Sequence, residues 1–137
     1  MTGPVFVDTN VLVYRADASD PVRQSRADAW YRFLWRSRAG RLSFQILLEL
    51  YSVLTRRLTP GFDEAEAREI VRELTAWQPV LVDLTVVERA WILQKDQLLS
   101  WWDALVVAAA QTCECRVVSP FALPNRTPSE VLEGLEP

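Results

Sequence analysis

Three acidic residues lie where a carboxylate usually needs a partner. Asp8 follows the short apolar segment 5–7, Glu49 lies among leucines in a patterned helix, and Asp103 stands in the first turn of another apolar helix. A buried carboxylate is costly unless it is paired or bound to a cation. If the three converge, a divalent cation would relieve their repulsion. Mg²⁺ and Mn²⁺ prefer oxygen ligands and can activate water against a phosphodiester.

Each acid also has an ordinary structural interpretation. Asp8 could cap the helix that follows it, and Asp103 could stabilise a helix N-terminus through the helix dipole. Glu49 could pair with an arginine or reach solvent. Taken together, three such acids in an α/β chain favour a site. A phosphotransferase with Asp8 as nucleophile fits less well, because Lys95 is the only lysine and no motif surrounds it.

The composition narrows the available chemistry. The 137 residues fit one domain, and with half of them hydrophobic and 24% charged the chain reads as globular. There is no histidine, which excludes Ser-His-Asp and Cys-His catalysis and the most common zinc ligand. Catalysis must therefore use carboxylates, hydroxyls, arginines or a bound metal. With no apolar run long enough for a membrane span and no secretory signal, we expect a cytoplasmic protein.

Other residue types give weaker indications. The net charge of −3 offers no overall attraction for nucleic acid. Residues 15–41 contain seven arginines and three aspartates, so this segment has a net charge of +4. The excess charge indicates either a solvated helix face or a face that contacts RNA. Cys113 and Cys115 are expected to be reduced thiols. Six tryptophans are expected to be core or interface anchors rather than base-stacking platforms: Trp30, Trp35, Trp77, Trp91, Trp101 and Trp102.

Hydrophobic periodicity predicts the elements that position the acids. Apolar strands at about 5–7, 80–82 and 117–118 alternate with helices, which predicts an α/β fold with a small parallel β-sheet flanked by helices. Helices are expected at about 11–14, 21–39, 44–58, 64–75, 86–94 and 101–111. The predicted N-caps are Asp20, Asp63, Thr85 and Ser100, and Gly40 is predicted to stop the second helix. Because ligands bind beyond the carboxyl ends of parallel strands, Asp8 is well placed.

The three acidic segments resemble those of a known family. The opening Val5-Phe6-Val7-Asp8-Thr9-Asn10 resembles the first motif of PIN domains, a strand that ends in Asp-x-Asn. Ser43, followed six residues later by Glu49, resembles the second acidic segment, and residues 99–110 resemble the third. Order and spacing agree over residues 5–110. Within the family, the likeness is to VapC-type toxins of bacterial toxin–antitoxin pairs.

This resemblance implies a function and a set of roles. The function is Mg²⁺- or Mn²⁺-dependent endoribonuclease cleavage of RNA, with a cognate antitoxin as partner and a homodimer as the assembly. Asp8, Glu49 and Asp103 would be the metal-binding catalytic acids, with Asn10 and Ser43 orienting them through hydrogen bonds. Residues 1–137 would form a single PIN-like domain, with 124–137 as an extended tail.

The sequence departs from the family pattern after the third segment. PIN toxins usually continue with a strand ending in Ser/Thr-Glu-Asp-Leu, which supplies a fourth acid, and later with one ending in Asn-Pro-Phe. Here residues 113–116 run straight into Val-Val-Ser-Pro-Phe at 117–121. One alignment has a gap near 115–117 and loses a C-terminal strand, and another places Pro120 and Phe121 where acids would stand. Both lack the fourth acid, so the alternative is a catalytically impaired PIN domain that binds antitoxin or RNA.

Overall fold

Residues 3–118 are described by a computed structural model, and every structural statement below concerns that range. The elements in chain order are β1 (Val5–Val7), α1 (Thr9–Ala16), α2 (Pro21–Ser37), β2 (Gly40–Arg41), α3 (Phe44–Arg56), α4 (Glu64–Leu74), a 3₁₀ turn (Thr75–Trp77), α5 (Leu84–Gln97), α6 (Trp101–Thr112) and β3 (Arg116–Val118).

The three strands form a parallel sheet in the order β2-β1-β3. Val5 pairs with Gly40 on one side and Arg116 on the other, so β1 is the central strand. Its three residues are at most 1% exposed, which explains why the strand is a continuous apolar run rather than an alternating one. The predicted α/β fold with a small parallel sheet flanked by helices is confirmed.

The predicted strand at 80–82 is wrong in extent. Val80 forms only an isolated parallel bridge with Ser43, in which the Val80 N–H donates to the Leu42 carbonyl at 2.9 Å. Neighbouring Leu81 is 66% exposed. The segment ends here because Asp83 already caps α5, leaving no room for a longer strand.

Three of the four predicted N-caps are confirmed. The side chains of Asp20, Asp63 and Ser100 each accept a hydrogen bond from a backbone N–H three residues later. The prediction for Thr85 is wrong, because Asp83 accepts from the Val86 N–H at 3.1 Å and starts the helix earlier.

Gly40 does not stop α2, contrary to the prediction. The helix ends at Ser37, and Arg38 takes the left-handed conformation (φ 57°) that turns the chain. Gly40 lies in β2, where a Cβ would come within 2.8 Å of ring carbons of Trp77. Its lack of a side chain therefore serves the close packing of Trp77 on the strand.

Three of the seven arginines in segment 15–41 form ion pairs within the protein. Arg15 lies 3.3 Å from the Asp28 carboxylate, and its guanidinium carbon is 3.6 Å from the centre of the Tyr31 ring. Arg32 pairs with the other Asp28 oxygen at 2.8 Å, and Arg23 pairs with Asp20. These contacts favour an ion-paired, solvated helix face over an RNA-contacting one.

The C-terminal part of the described chain contradicts one expectation and confirms another. Cys113 and Cys115 form a disulfide, so the prediction of two reduced thiols is wrong. The strand predicted at about 117–118 is confirmed as β3, which lies directly beside β1. The predicted tail, residues 124–137, and any further C-terminal strand lie outside the described residues. Between residues 3 and 118, no helix combines the length and apolar character that crossing a membrane requires.

Candidate functional site

A cleft of about 950 Å³ opens beside the carboxyl end of β1, and its lining includes all three predicted acids. Asp8 follows β1 directly, Glu49 lies in the middle of α3, and Asp103 lies in the first turn of α6. The fold therefore brings acids from three separate segments to a common space, as the rule for parallel sheets suggests.

The Asp8 carboxylate is partly buried in this cleft. It occupies the N-cap position of α1, but its side chain makes no capping hydrogen bond. Burial raises the pKa of Asp8, and the negative charges of Glu49 and Asp103 add to the rise. The nearby backbone N–H groups of Asn10 and Thr9 act in the opposite direction. The Asp8 carboxylate therefore feels both the other two acids and the backbone N–H groups at the start of α1.

Glu49 is held from both of its oxygens. The Thr9 hydroxyl donates to Oε2 at 2.7 Å, and Gln45 Nε2 donates to Oε1 at 3.2 Å. Gln45 Nε2 also lies 3.5 Å from the carbonyl oxygen of Trp102, which links α3 to the start of α6. Among the side chains of residues 3–115, Glu49 takes part in none of the ion pairs, so pairing with an arginine of that range does not explain it.

Sequence reasoning missed both residues that hold Glu49. Thr9 and Gln45 are only 6% and 7% exposed, so they are built into the protein beneath the cleft. Gln45 could have been found, because residues four apart on a helix face each other. The only sequence signal for Thr9 is its position next to Asp8. Its hydrogen-bond partner lies 40 residues away along the chain, so no local pattern predicts the contact.

Asp103 is exposed at the N-terminus of α6. Its backbone N–H donates to Ser100 Oγ at 3.2 Å, so the Ser100 cap fixes the turn from which the carboxylate projects. The helix dipole favours a negative charge in this turn, as the structural interpretation expected. That stabilisation and a role in the cleft are compatible, because the carboxylate lines the cleft as well.

The two predicted supporting residues occupy different positions. Asn10 is exposed and lines the cleft, and its backbone N–H interacts with Asp8. Ser43 is fully buried at the N-cap of α3, where its hydroxyl accepts from the Ile46 N–H at 3.3 Å. Ser43 can therefore influence Glu49 through the start of the helix rather than through a hydrogen bond to it.

The acids suit a water-rich cation site rather than a closed cage. No three acidic or cysteine side chains of residues 3–118 lie close enough together to hold one ion between them. Mg²⁺ commonly binds through one or two carboxylates and keeps several waters. A cation would also relieve the repulsion that Asp8 feels from Glu49 and Asp103. Asp8 together with either of the other two fits such a site.

Comparison with known proteins agrees with this arrangement. A search of curated proteins finds no match to the chain. The family model of the PIN domain matches residues 5–120, which span β1, all six α-helices and β3. PIN domains are generally nucleases, and the matched range includes every residue that lines the acidic cleft. The chain belongs to the PIN-domain family.

Proposed function

We propose that this protein is a divalent-metal-dependent endoribonuclease that cleaves RNA phosphodiester bonds in the cleft lined by Asp8, Glu49 and Asp103. The observation that carries the proposal is their shared cleft at the carboxyl end of β1. Membership of a family of nucleases supplies the class of reaction. Mg²⁺ or Mn²⁺ would be the cofactor, with Asp8 and one of the other two acids as its protein ligands.

The chain's own residues prepare the site for this chemistry. When bound, a divalent cation polarises a phosphoryl oxygen and lowers the pKa of a coordinated water. Thr9 and Gln45 fix both oxygens of Glu49 before substrate arrives. Asp8 makes no capping hydrogen bond, so its carboxylate is available to a ligand. Asn10 is exposed at the rim, where its amide can donate to a phosphate oxygen.

The proposed biological role follows the motif resemblance. The order and spacing of the three acidic segments support a VapC-type toxin that acts as a homodimer in the cytoplasm and is neutralised by a cognate antitoxin. Growth arrest on expression of the wild type, and its absence with Asp8→Ala, would support the toxin role.

A second candidate is a catalytically impaired PIN domain that binds antitoxin or RNA. The favouring observation is the strand next to β1. β3 ends at Val118, and the sequence contains no Asp or Glu between Glu114 and Glu130. No acid therefore follows β3 closely at the edge of the sheet where Asp8 lies. A strong, Asp8-dependent heat of Mn²⁺ binding in calorimetry would argue against this candidate.

The decisive experiment is cleavage of single-stranded RNA with and without Mg²⁺ or Mn²⁺. We expect cleavage to require the ion, to stop with EDTA, and to fall by more than about 100-fold in Asp8→Ala, since this removes a direct ligand rather than a supporting group. Asp96→Ala is the matched control, because Asp96 is an exposed aspartate on α5 that does not line the cleft. Equal cleavage by the wild type and Asp8→Ala would contradict the proposal.

A further inference from the structure

One wall of the acidic cleft is apolar and open to solvent. Phe44, Leu48, Leu81 and Trp102 line it, with exposed fractions of 40, 72, 66 and 60%. Nine large hydrophobic side chains of residues 3–118 are exposed, and four of the nine gather in this one cleft. Scattered exposed apolar residues need no explanation, but a concentrated patch marks a binding surface.

Trp102 is the most prominent side chain of this wall. It precedes Asp103 in the turn that Ser100 caps, and its carbonyl oxygen lies near the Gln45 amide that holds Glu49. Other tryptophans of the described chain pack against aromatic rings, as in the stacked pair of Trp91 and Trp101. Trp102 belongs to none of these pairs. The sequence predicts that Trp102 is a core or interface anchor; its exposure contradicts a place in the core and leaves its ring open to a ligand or a partner.

One positively charged side chain also lines the cleft. Arg57 follows α3 and is the one positively charged residue among the described residues of the lining. It takes part in none of the ion pairs between residues 3 and 118. At the helical rise per residue, Arg57 lies about 12 Å along α3 from Glu49. The acids, the exposed apolar side chains and this guanidinium therefore line one cleft.

We propose that the cleft binds single-stranded RNA, with one unstacked base packed against Trp102 and a backbone phosphate bound by Arg57. This rests on the proposed RNA-cleaving function and adds to it two residues of this chain that would bind the substrate. A base can reach the wall only after it leaves the stack, whereas duplex RNA keeps its bases inside and is recognised by shape. Aromatic side chains stack on any base, and a guanidinium matches phosphate geometry.

The charge pattern is what favours RNA over a protein segment. An apolar wall by itself would suit either ligand. A strand of RNA offers alternating bases and phosphates, which match Trp102 and Arg57 in the lining of one cleft. The acids line the same cleft, so a strand bound there lies beside them, as cleavage requires.

The test measures RNA binding without cleavage. A labelled single-stranded RNA of about 12 nucleotides is titrated by fluorescence anisotropy into the Asp8→Asn protein in Mg²⁺. Added to that background, Trp102→Ala should weaken binding by roughly 5- to 150-fold, the loss expected for one stacked base. Trp102→Phe should keep most of the affinity. Trp91→Ala is the matched control, because Trp91 is 54% exposed but lies outside the cleft lining.

A second pair of variants tests the phosphate contact. Arg57→Gln should lower the slope of log affinity against log salt by about 0.7, the value for one phosphate contact to a single strand. Arg56→Gln should leave the slope unchanged, because the neighbouring Arg56 is exposed but does not line the cleft. Circular dichroism melting confirms that each variant is folded.

Several outcomes would overturn the inference: unchanged binding in Trp102→Ala, equal affinity for single strand and duplex, or no RNA binding by the Asp8→Asn parent. If Trp102→Ala leaves RNA binding unchanged but converts a dimer to a monomer in sedimentation, the apolar wall is an interface between two copies of the chain. Cleavage is measured separately in the wild type. If Trp102-dependent binding is found without any cleavage, only the proposed nuclease activity fails.

Discussion

The ionised form of Asp8 is less favourable in the folded protein than in water. Its partial burial and the nearby charges of Glu49 and Asp103 all raise its pKa. A carboxylate in a stabilising ion pair would show the opposite direction. The three acids are therefore arranged at a cost to the metal-free protein, which is common where a protein binds a ligand rather than packs its core.

Removing that charge should stabilise the metal-free protein. We expect Asp8→Asn to raise Tm by about 1–3 °C at pH 7 in EDTA, because it removes a charge that burial and, to a smaller extent, the two neighbouring acids disfavour. The pKa in the folded state lies above 3.8, so the penalty is absent below that pH and complete above the folded pKa. The gain in Tm should therefore shrink as the pH is lowered towards 4.

Thermal unfolding across this pH range is the measurement. Asp96→Asn, which removes an exposed aspartate of α5 outside the cleft, should leave Tm unchanged at every pH. A lower Tm for Asp8→Asn than for wild type at pH 7 would show that the charge of Asp8 supports the fold.

At the scale of residues, the sequence singles out the acids but not their partners. A carboxylate among apolar neighbours is unusual, so Asp8, Glu49 and Asp103 can be selected from composition and context. A threonine or a glutamine has no such distinction. Thr9 and Gln45 acquire their role only when the fold brings α1 and α3 together, which no local pattern encodes.

The helices that carry the acids begin at defined caps. Ser43 fixes the start of α3, and Ser100 fixes the start of α6. A hydroxyl or carboxylate directly before an apolar periodic run has a clear physical meaning, which is why Ser100 could be predicted. Asp83 and Thr85 are both good acceptors two residues apart. The sequence does not distinguish the two, because the start of α5 depends on where the chain leaves its bridge to Ser43 at Val80, which is a tertiary contact.

The strands show the same limit. The apolar triplets at 5–7 and 80–82 have nearly the same composition, yet one is the buried central strand and the other makes a single bridge. The difference arises because β1 has partners on both sides, whereas β2 offers only two residues. Pairing partners are a property of the whole sheet, so short apolar runs cannot be ranked in isolation.

Loss of the buried cap of α3 should be costly. Ser43→Ala removes the acceptor of the Ile46 N–H at a position with no access to water. We expect the free energy of unfolding to fall by about 1–2 kcal/mol, the upper part of the range for N-cap removal. Denaturant unfolding gives the value. Ser52→Ala on the same helix, which removes no cap, should cost much less, and equal losses in the two variants would contradict the capping role.

The whole molecule explains why the site lies where it does. Asp8 follows the central strand directly. Glu49 lies in α3, which begins just after β2, so both acids lie near the carboxyl edge of the sheet. This much follows from a general rule for parallel sheets and could be predicted. The apolar wall and its neighbour Arg57 could not be predicted. Leu81, for example, lies in a segment whose pattern predicts a buried strand, yet its side chain is exposed.

A cation that binds only the folded protein must stabilise the whole molecule. The gain is about 2.7 kcal/mol when the free ion is at 100 times its Kd. We therefore expect the Tm of the wild type to rise with Mn²⁺ concentration, whereas Asp8→Asn should respond weakly because it lacks a ligand. Since the variant is expected to be the more stable protein in EDTA, the two Tm curves should cross as Mn²⁺ is added.

The crossing separates metal binding from catalysis. Asp96→Asn should follow the wild type throughout, because the exposed aspartate of α5 does not line the cleft. Parallel curves for wild type and Asp8→Asn would mean that Asp8 is not a metal ligand. A crossing together with RNA cleavage fits the proposed endoribonuclease. A crossing without cleavage fits a PIN domain that keeps its cation site but lacks an acid after β3 to complete it.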